Sequence, residues 1–228
     1  MKTNIIAIAA TAILTLSACG GGTSSVNPSD CISEAEKQIP TEQHPIFGEV
    51  PSLARQNSKA IDIADSIISI ERDAIGAKAD NDNYEEISGK INELDAKLES
   101  IKKEISQSYE GRISEAAKGI IGKEIPVEAN SGVYSAAKAT IAAYKPGENG
   151  QGDIIVNASF TAARTLKSLA GKYTQITYNR LDASGKTIAS GLQTLQQTFK
   201  AGDEVKLDSI ILRAGTADDI AKMSFTDN

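Results

Sequence analysis

Three aspartates in the C-terminal half, Asp182, Asp203 and Asp208, lie near the ends of expected hairpins. Two carboxylates brought into one pocket could divide general acid and general base duty between them. Aspartates at such positions also have a simpler use, since a turn Asp accepts the backbone N–H groups that follow it, and that reading is preferred here. Asp80-Asn81-Asp82-Asn83, followed by Glu85 and Glu86, offers oxygen ligands to a hard cation but lacks the Gly at the sixth and the Glu at the twelfth position of a calcium loop. Turn formation and helix capping account for it better. The Gly-rich run from Lys145 to Gly152 has no Lys-Ser/Thr behind it and reads as a loop between strands, not a phosphate cradle. Tyr144, Tyr173 and Tyr178 are the aromatic side chains a sugar-binding face would draw on, yet core and edge packing explain them equally well, and there is no Trp. Cys31 is a poor nucleophile, because the one histidine, His44, sits among prolines with no evident orienting partner. No catalytic residue, metal ligand or cofactor-binding residue is therefore assigned, and an enzyme is not expected.

Composition narrows the classes further. The chain has 228 residues, with 24 Lys plus Arg against 30 Asp plus Glu, a formal charge of −6, and 40% hydrophobic residues. That is enough apolar material for one or two compact domains. The acidic balance gives no general attraction to nucleic acid or to an anionic membrane surface. One His and two Cys cannot build a His-rich metal centre, a paired-cysteine zinc site or a disulfide framework.

Any such side chains must be positioned by elements that hydrophobic periodicity makes visible. From Ser52 the apolar residues fall at helical spacing: Ala60, Ile63, Ile67, Ile70 and Ala74, widened by Ala64, Ile68 and Ile75. Residues 79–83 interrupt the pattern, with Asn83 placed to cap a second helix. In that helix Ile87, Ile91, Leu94, Leu98, Ile101 and Ile105 recur alternately four and three apart, the seam of a coiled coil. A short polar connection between two amphipathic helices favours an antiparallel hairpin; a homo-oligomeric coiled coil through the second seam is the alternative.

After Gly122 the vocabulary changes to short β-prone runs: Lys123 to Glu128, Tyr134 to Tyr144, Ile154 to Phe160, Tyr173 to Leu181, Thr187 to Leu195, Glu204 to Leu212 and Ala221 to Thr226. Ser135 to Ala143 is Ala-rich enough to be helical by propensity alone. Asp182 to Lys186 suits a hairpin with Gly185 at positive φ, and Lys200 to Asp203 suits a second tight turn. The expected class is α+β: an N-terminal antiparallel, coiled-coil-like helical hairpin followed by an antiparallel β-sandwich whose architecture resembles immunoglobulin or fibronectin domains, without the Cys pair and Trp of true immunoglobulin domains.

The N-terminus carries the one motif of high specificity. One positive charge at Lys2, an apolar run from Ile5 to Leu16 and small residues before Cys19 form a secretory signal peptide, too short to span a bilayer. Leu16-Ser17-Ala18-Cys19 resembles the lipobox of bacterial lipoproteins in all four positions. The resemblance implies that Cys19 takes a diacylglyceryl thioether, that the chain is cut between Ala18 and Cys19, and that the new amino terminus can be acylated, for example by palmitate. Acyl chains in that number anchor a soluble domain stably. Gly20 lacks the Asp associated with inner-membrane retention, so a cell outer membrane address is expected. Loss of residues 1–18 removes Lys2 and no acid, which takes the formal charge from −6 to −7, and leaves Cys31 as the one free thiol, expected to be buried and inert, with pairing to another chain as the alternative.

The expected organisation is a signal peptide at 1–18, a lipidated Cys and flexible, proline-stiffened tether at 19–51 with a short helix from Ser33 to Ile39, a helical hairpin at 52–122 and a β-domain at 123–228. The expected function is a lipid-anchored cell-envelope protein that binds or scaffolds an envelope protein partner without catalysis. A solute- or carbohydrate-binding lipoprotein, or an envelope hydrolase, using a cleft between the two domains is the alternative.

Overall fold

A computed structural model describes residues 26–80, 82–130, 132–147 and 151–228. The lipobox and Cys19 lie outside the described residues, as do Asn81 and Glu148-Asn149-Gly150. The class is α+β, and the described residues form three helices and two antiparallel sheets. The chain groups into two compact units, Met1–Gln38 with Lys59–Gln107, and Ile39–Ser58 with Ser108–Asn228.

In the first unit, α1 covers Pro28–Gln38. It starts five residues before the expected Ser33 because Asn27-Pro28 is itself a start signal. The Asn27 side chain accepts the Ser29 N–H at 3.0 Å, and Pro28 occupies the first helical position, where a missing N–H costs nothing. Cys31 and Ala35, one turn apart, are buried.

Helices α2 (Val50–Gly76) and α3 (Tyr84–Lys118) each have residues in both units. In the first unit they run antiparallel: Arg72 pairs with Asp95, and Asp65, seven residues earlier on α2, pairs at 2.8 Å with Lys102, seven residues later on α3. On α3 the expected seam is buried at Ile87, Leu98, Ile101 and Ile105, and half-buried at Ile91 and Leu94. On α2 the buried line is Ala60, Ala64 and Ile68, while Ile70 is 52% exposed. Of this line Ala60 belongs to the expected stripe, whereas Ala64 and Ile68 are residues expected only to widen it. Small side chains at 60 and 64 let a neighbouring backbone approach more closely than isoleucine does, and interaxial distance follows the side chains at the contact. The connection is locked by its own polar groups. Asp80 Oδ1 accepts the Asp82 and Asn83 N–H groups at 3.0 Å, while Asn83 Oδ1 accepts the Asp80 N–H at 2.8 Å and Asn83 Nδ2 donates to the Lys78 carbonyl. Asn83 stands where a cap belongs, but its side chain fastens the turn behind it.

Among the described residues of the second unit, seven strands form two sheets: β1 (Glu124–Ile125), β2 (Tyr134–Lys145), β3 (Asp153–Ala162) and β6 (Glu204–Arg213) in the order β1-β2-β3-β6, and β4 (Thr174–Leu181), β5 (Thr187–Leu195) and β7 (Lys222–Asp227) in the order β5-β4-β7. All strand pairs are antiparallel. The Ala-rich run is strand, since it pairs with β3 from Tyr134↔Ala162 to Lys145↔Asp153 with two register shifts on the way; tertiary pairing overrides helix propensity. Burial alternates along β6 at Val205 and Leu207, then resumes at Ile210 and Leu212. The extra residue is a bulge, marked by a register shift and by Ser209 at φ 58°. Gly185 has the expected positive φ, 85°, in the β4–β5 turn. Rings from both sheets meet: Phe160 of β3 stacks on Phe225 of β7 at 5.5 Å, with Tyr134 of β2 against both. Because β6 lies between β5 and β7 in sequence, the two sheets are interleaved along the chain.

Candidate functional site

The segment His44-Pro45-Ile46-Phe47-Gly48 closes on itself. The His44 N–H donates to the Gly48 carbonyl at 2.8 Å and the Gly48 N–H returns to the His44 carbonyl at 2.9 Å, with Pro45 fixing φ and Gly48 at φ 57°. Inside this loop His44 Nδ1 accepts the N–H groups of Ile46 and Phe47, each at 3.1 Å, and the imidazole stacks at 5.0 Å on the buried Phe47 ring. His44 therefore has orienting partners that its sequence neighbourhood does not reveal: backbone amides brought round by the proline turn. The preceding residues are stapled to the start of α2, where Ser52 Oγ donates to the Glu42 carbonyl and Gln56 Nε2 donates to the Ile39 carbonyl at 2.7 Å.

The other edge of the imidazole faces the loop after β6. Burial lowers the His44 pKa, against the opposing pull of the Asp218 carboxylate, the carbonyl oxygens of Asp218 and Ile220, and Asp219. Accepting at Nδ1, the ring is the neutral tautomer with its proton on Nε2. Asp218 is itself raised, first by burial, while Arg55 and His44 draw it down and Asp219 and Glu42 push it up. Arg55 of α2 reaches Asp218 at 2.6 Å.

Between these parts lies a cleft of about 680 Å³. Its apolar walls come from Ile46, Pro126, Ile188 and Ile220, and its rim carries Asp182, Asp218 and Asp219. Asp182 is already engaged: its Oδ1 accepts the Ser184 N–H, the Ser184 hydroxyl at 2.6 Å and the Lys186 N–H at 3.0 Å, and these hydrogen bonds lower its pKa. The arrangement suits noncovalent contact with a group that is aliphatic and positively charged.

Of the three aspartates that could have converged, only Asp182 reaches this cleft. Asp203 accepts the Lys200 N–H at 2.7 Å in its own turn, beside Ala162, whose N–H donates to the Asp203 carbonyl. That turn lies toward the Asp227 end of β7, where Arg164 grips Asp227, whereas Asp182 follows Leu181, paired with Lys222 at the other end. Asp208 is exposed in the β6 bulge and offers its carbonyl to Gln193 at 3.2 Å. Asp80 and Asn83 use their oxygens within their turn, and the described residues contain no group of three or more His, Cys, Asp or Glu placed to hold a metal ion. Tyr144 and Tyr178 cover the faces of Gly152 and Gly191, while Tyr173 is 41% exposed. Cys31 is buried at 2% exposure, and its thiol is pushed up to about 11 by burial and then by the Asp30 charge.

Sequence reading misses Arg55, Pro126, Asp218 and Asp219. The adjacent acids before Ile220 are the one local signal that could have pointed there. No helix among the described residues is long and apolar enough to cross a membrane. Compared with protein-family models, with curated proteins and with solved structures, the chain matches none.

Proposed function

We propose that the chain is a lipid-anchored cell-envelope protein, held at the membrane, by preference the outer membrane, through acyl groups on Cys19, and that it works as a non-catalytic binding or scaffolding module. The anchor rests on Leu16-Ser17-Ala18-Cys19 behind a short apolar run. The non-catalytic reading is carried by one observation: of the four ionisable groups lining the cleft, three are already committed, His44 Nδ1 to two amides, Asp182 to its turn and Asp218 to Arg55.

The two sheets are read as a β-sandwich, supported by the Phe160–Phe225 stack and by the Gln193 to Asp208 hydrogen bond. It keeps the seven-strand, two-sheet layout of immunoglobulin domains. Its strand order differs, since there the first, second, fifth and fourth strands share a sheet. A solute-binding lipoprotein is the second reading, favoured by the acid-rimmed cleft, which fits a cationic aliphatic group.

The test is purification from mildly solubilised native membranes with mass spectrometry of the N-terminal peptide and of co-purifying proteins, beside a Cys19→Ser control. A diacylated Cys19 and a stoichiometric envelope partner are expected. An intact signal peptide on mature protein would overturn the anchor, and the absence of any enriched partner would overturn the scaffold in favour of the solute-binding reading.

A further inference from the structure

Sheet edges expose unpaired N–H and C=O groups, and proteins blunt them with charge, proline, bulges, brevity or cover. Among the described residues, three of the four sheet edges are blunted by charge or cover. The two-residue β1 covers only the middle of β2, and the rest of that strand carries a bulge with Ala136 at φ 47° and the charge of Lys138. On β6 the bulge at Ser209 is joined by Glu204, Lys206, Asp208 and Arg213. Along β7, Met223 is covered from outside, its N–H donating to the Pro126 carbonyl and its carbonyl accepting the Glu128 N–H, both at 2.8 Å.

The fourth edge, β5, has one register shift at its start, where Ile188 is the extra residue between the Ala189↔Arg180 and Thr187↔Leu181 pairs, and beyond it none of these devices. Its nine residues, Thr187-Ile188-Ala189-Ser190-Gly191-Leu192-Gln193-Thr194-Leu195, include no charge and no proline. Its register with β4 is unbroken from Leu195↔Thr174 to Ala189↔Arg180. None of the nine is buried, and Ile188 and Leu192 are 40% and 51% exposed. Among the described residues no main-chain hydrogen bond reaches β5 from any strand but β4. In an antiparallel ladder, the alternate N–H and C=O groups that do not bond to β4 point outward.

We propose that this edge is an assembly surface that takes a second copy of the chain, β5 against β5 and antiparallel about a two-fold axis at Gly191. The argument for a second copy is charge. Across a two-fold axis a strand meets itself, so a charged residue near its centre would face its own like charge. An edge built for a different protein gains from charge, which steers and selects the partner. In a chain that is 24% charged, nine consecutive uncharged residues at the one open edge satisfy the self-pairing condition. Pairing about Gly191 sets Ser190 against Leu192 of the partner subunit and Ala189 against Gln193 of the partner subunit, with the bulge at Ile188 outside this paired centre. The two three-stranded sheets become one of six strands.

The experiment is sedimentation of the full chain in mild detergent across a concentration series, with Cys19→Ser alongside to separate assembly through acyl chains from assembly through the strand. A dimer present with and without Cys19 is expected. Ser190→Lys combined with Leu192→Lys, both at exposed positions, should raise its dissociation constant by about tenfold or more. Ser190→Lys with Leu192→Asp, which opposes unlike charges across the axis, should restore it, and Ile211→Lys on β6 should leave it unchanged. Circular dichroism of each variant verifies the fold. A chain that stays monomeric up to about 100 μM, or a dimer that survives both lysines, overturns the proposal.

Discussion

Tyr178 and Gly191 are partners across the β4–β5 ladder, and the Tyr178 ring occupies the space that a side chain on residue 191 would fill. The glycine is there for the tyrosine. Gly191→Val forces the ring out and should cost about 1–3 kcal/mol. In a Tyr178→Ala background the same change should become stabilising, because a β-branched residue favours a strand over glycine. A double-mutant cycle by denaturant unfolding checks the change of sign.

His44 makes stability depend on pH. Its folded pKa is lowered, so above the unfolded value of about 6.5 both states are neutral and stability is full. As pH falls below that value the unfolded chain takes up the proton first, and stability declines until the folded pKa is passed. Protonation at Nδ1 also forfeits the hydrogen bonds from Ile46 and Phe47. His44→Ala should cost about 1–3 kcal/mol at pH 8 by stranding those amides. It should also flatten the decline in melting temperature between pH 7 and pH 5, and an unchanged slope would exclude His44 as its source.

Cys31 should ignore thiol reagents in the folded protein. With its thiol pushed up to about 11 and 2% exposed, its thiolate at neutral pH is on the order of one part in ten thousand. A chromogenic disulfide should react with it only after denaturant is added, and rapid labelling of native protein would contradict the burial.

The helix seam separates the hairpin from a self-assembling coiled coil. Ile105 is fully buried and Leu94 half-buried with only this chain present. Ile105→Ala should cost about 2–5 kcal/mol, and Leu94→Ala clearly less. Equal costs at both positions, with loss of oligomer, would instead show that a second copy covers Leu94.

Much of this fold is legible in local patterns. The β5 limits, Thr187 to Leu195, follow from alternation between a glycine turn and a polar run, and positive φ at Gly185 follows from turn chemistry. The start of α1 has a local signal too, Asn27-Pro28, but the expected helix begins five residues later, at Ser33. What periodicity cannot give is order across space. Ile188, Pro126, Asp218 and His44 meet at one cleft because of how strands and loops are arranged, and nothing in the spacing of any one segment encodes that arrangement. The α2 stripe includes Ala60 as expected but turns toward Ala64 and Ile68 and away from Ile70 for a related reason: hydrophobicity ranks isoleucine above alanine, whereas close approach favours alanine at 60 and 64.

The distribution of strands between the sheets governs how the second unit folds and comes apart. The β4–β5 hairpin can form early through a local turn, but its third strand, β7, arrives only after the chain has supplied β6 to the other sheet. The four-stranded sheet is complete once β6 docks, but the three-stranded sheet waits for the final strand, so its search is long-range and its closure late, which slows folding. The same threading denies the two sheets separate transitions. The unit should lose both at one midpoint, with no half-unfolded species in which one sheet outlives the other.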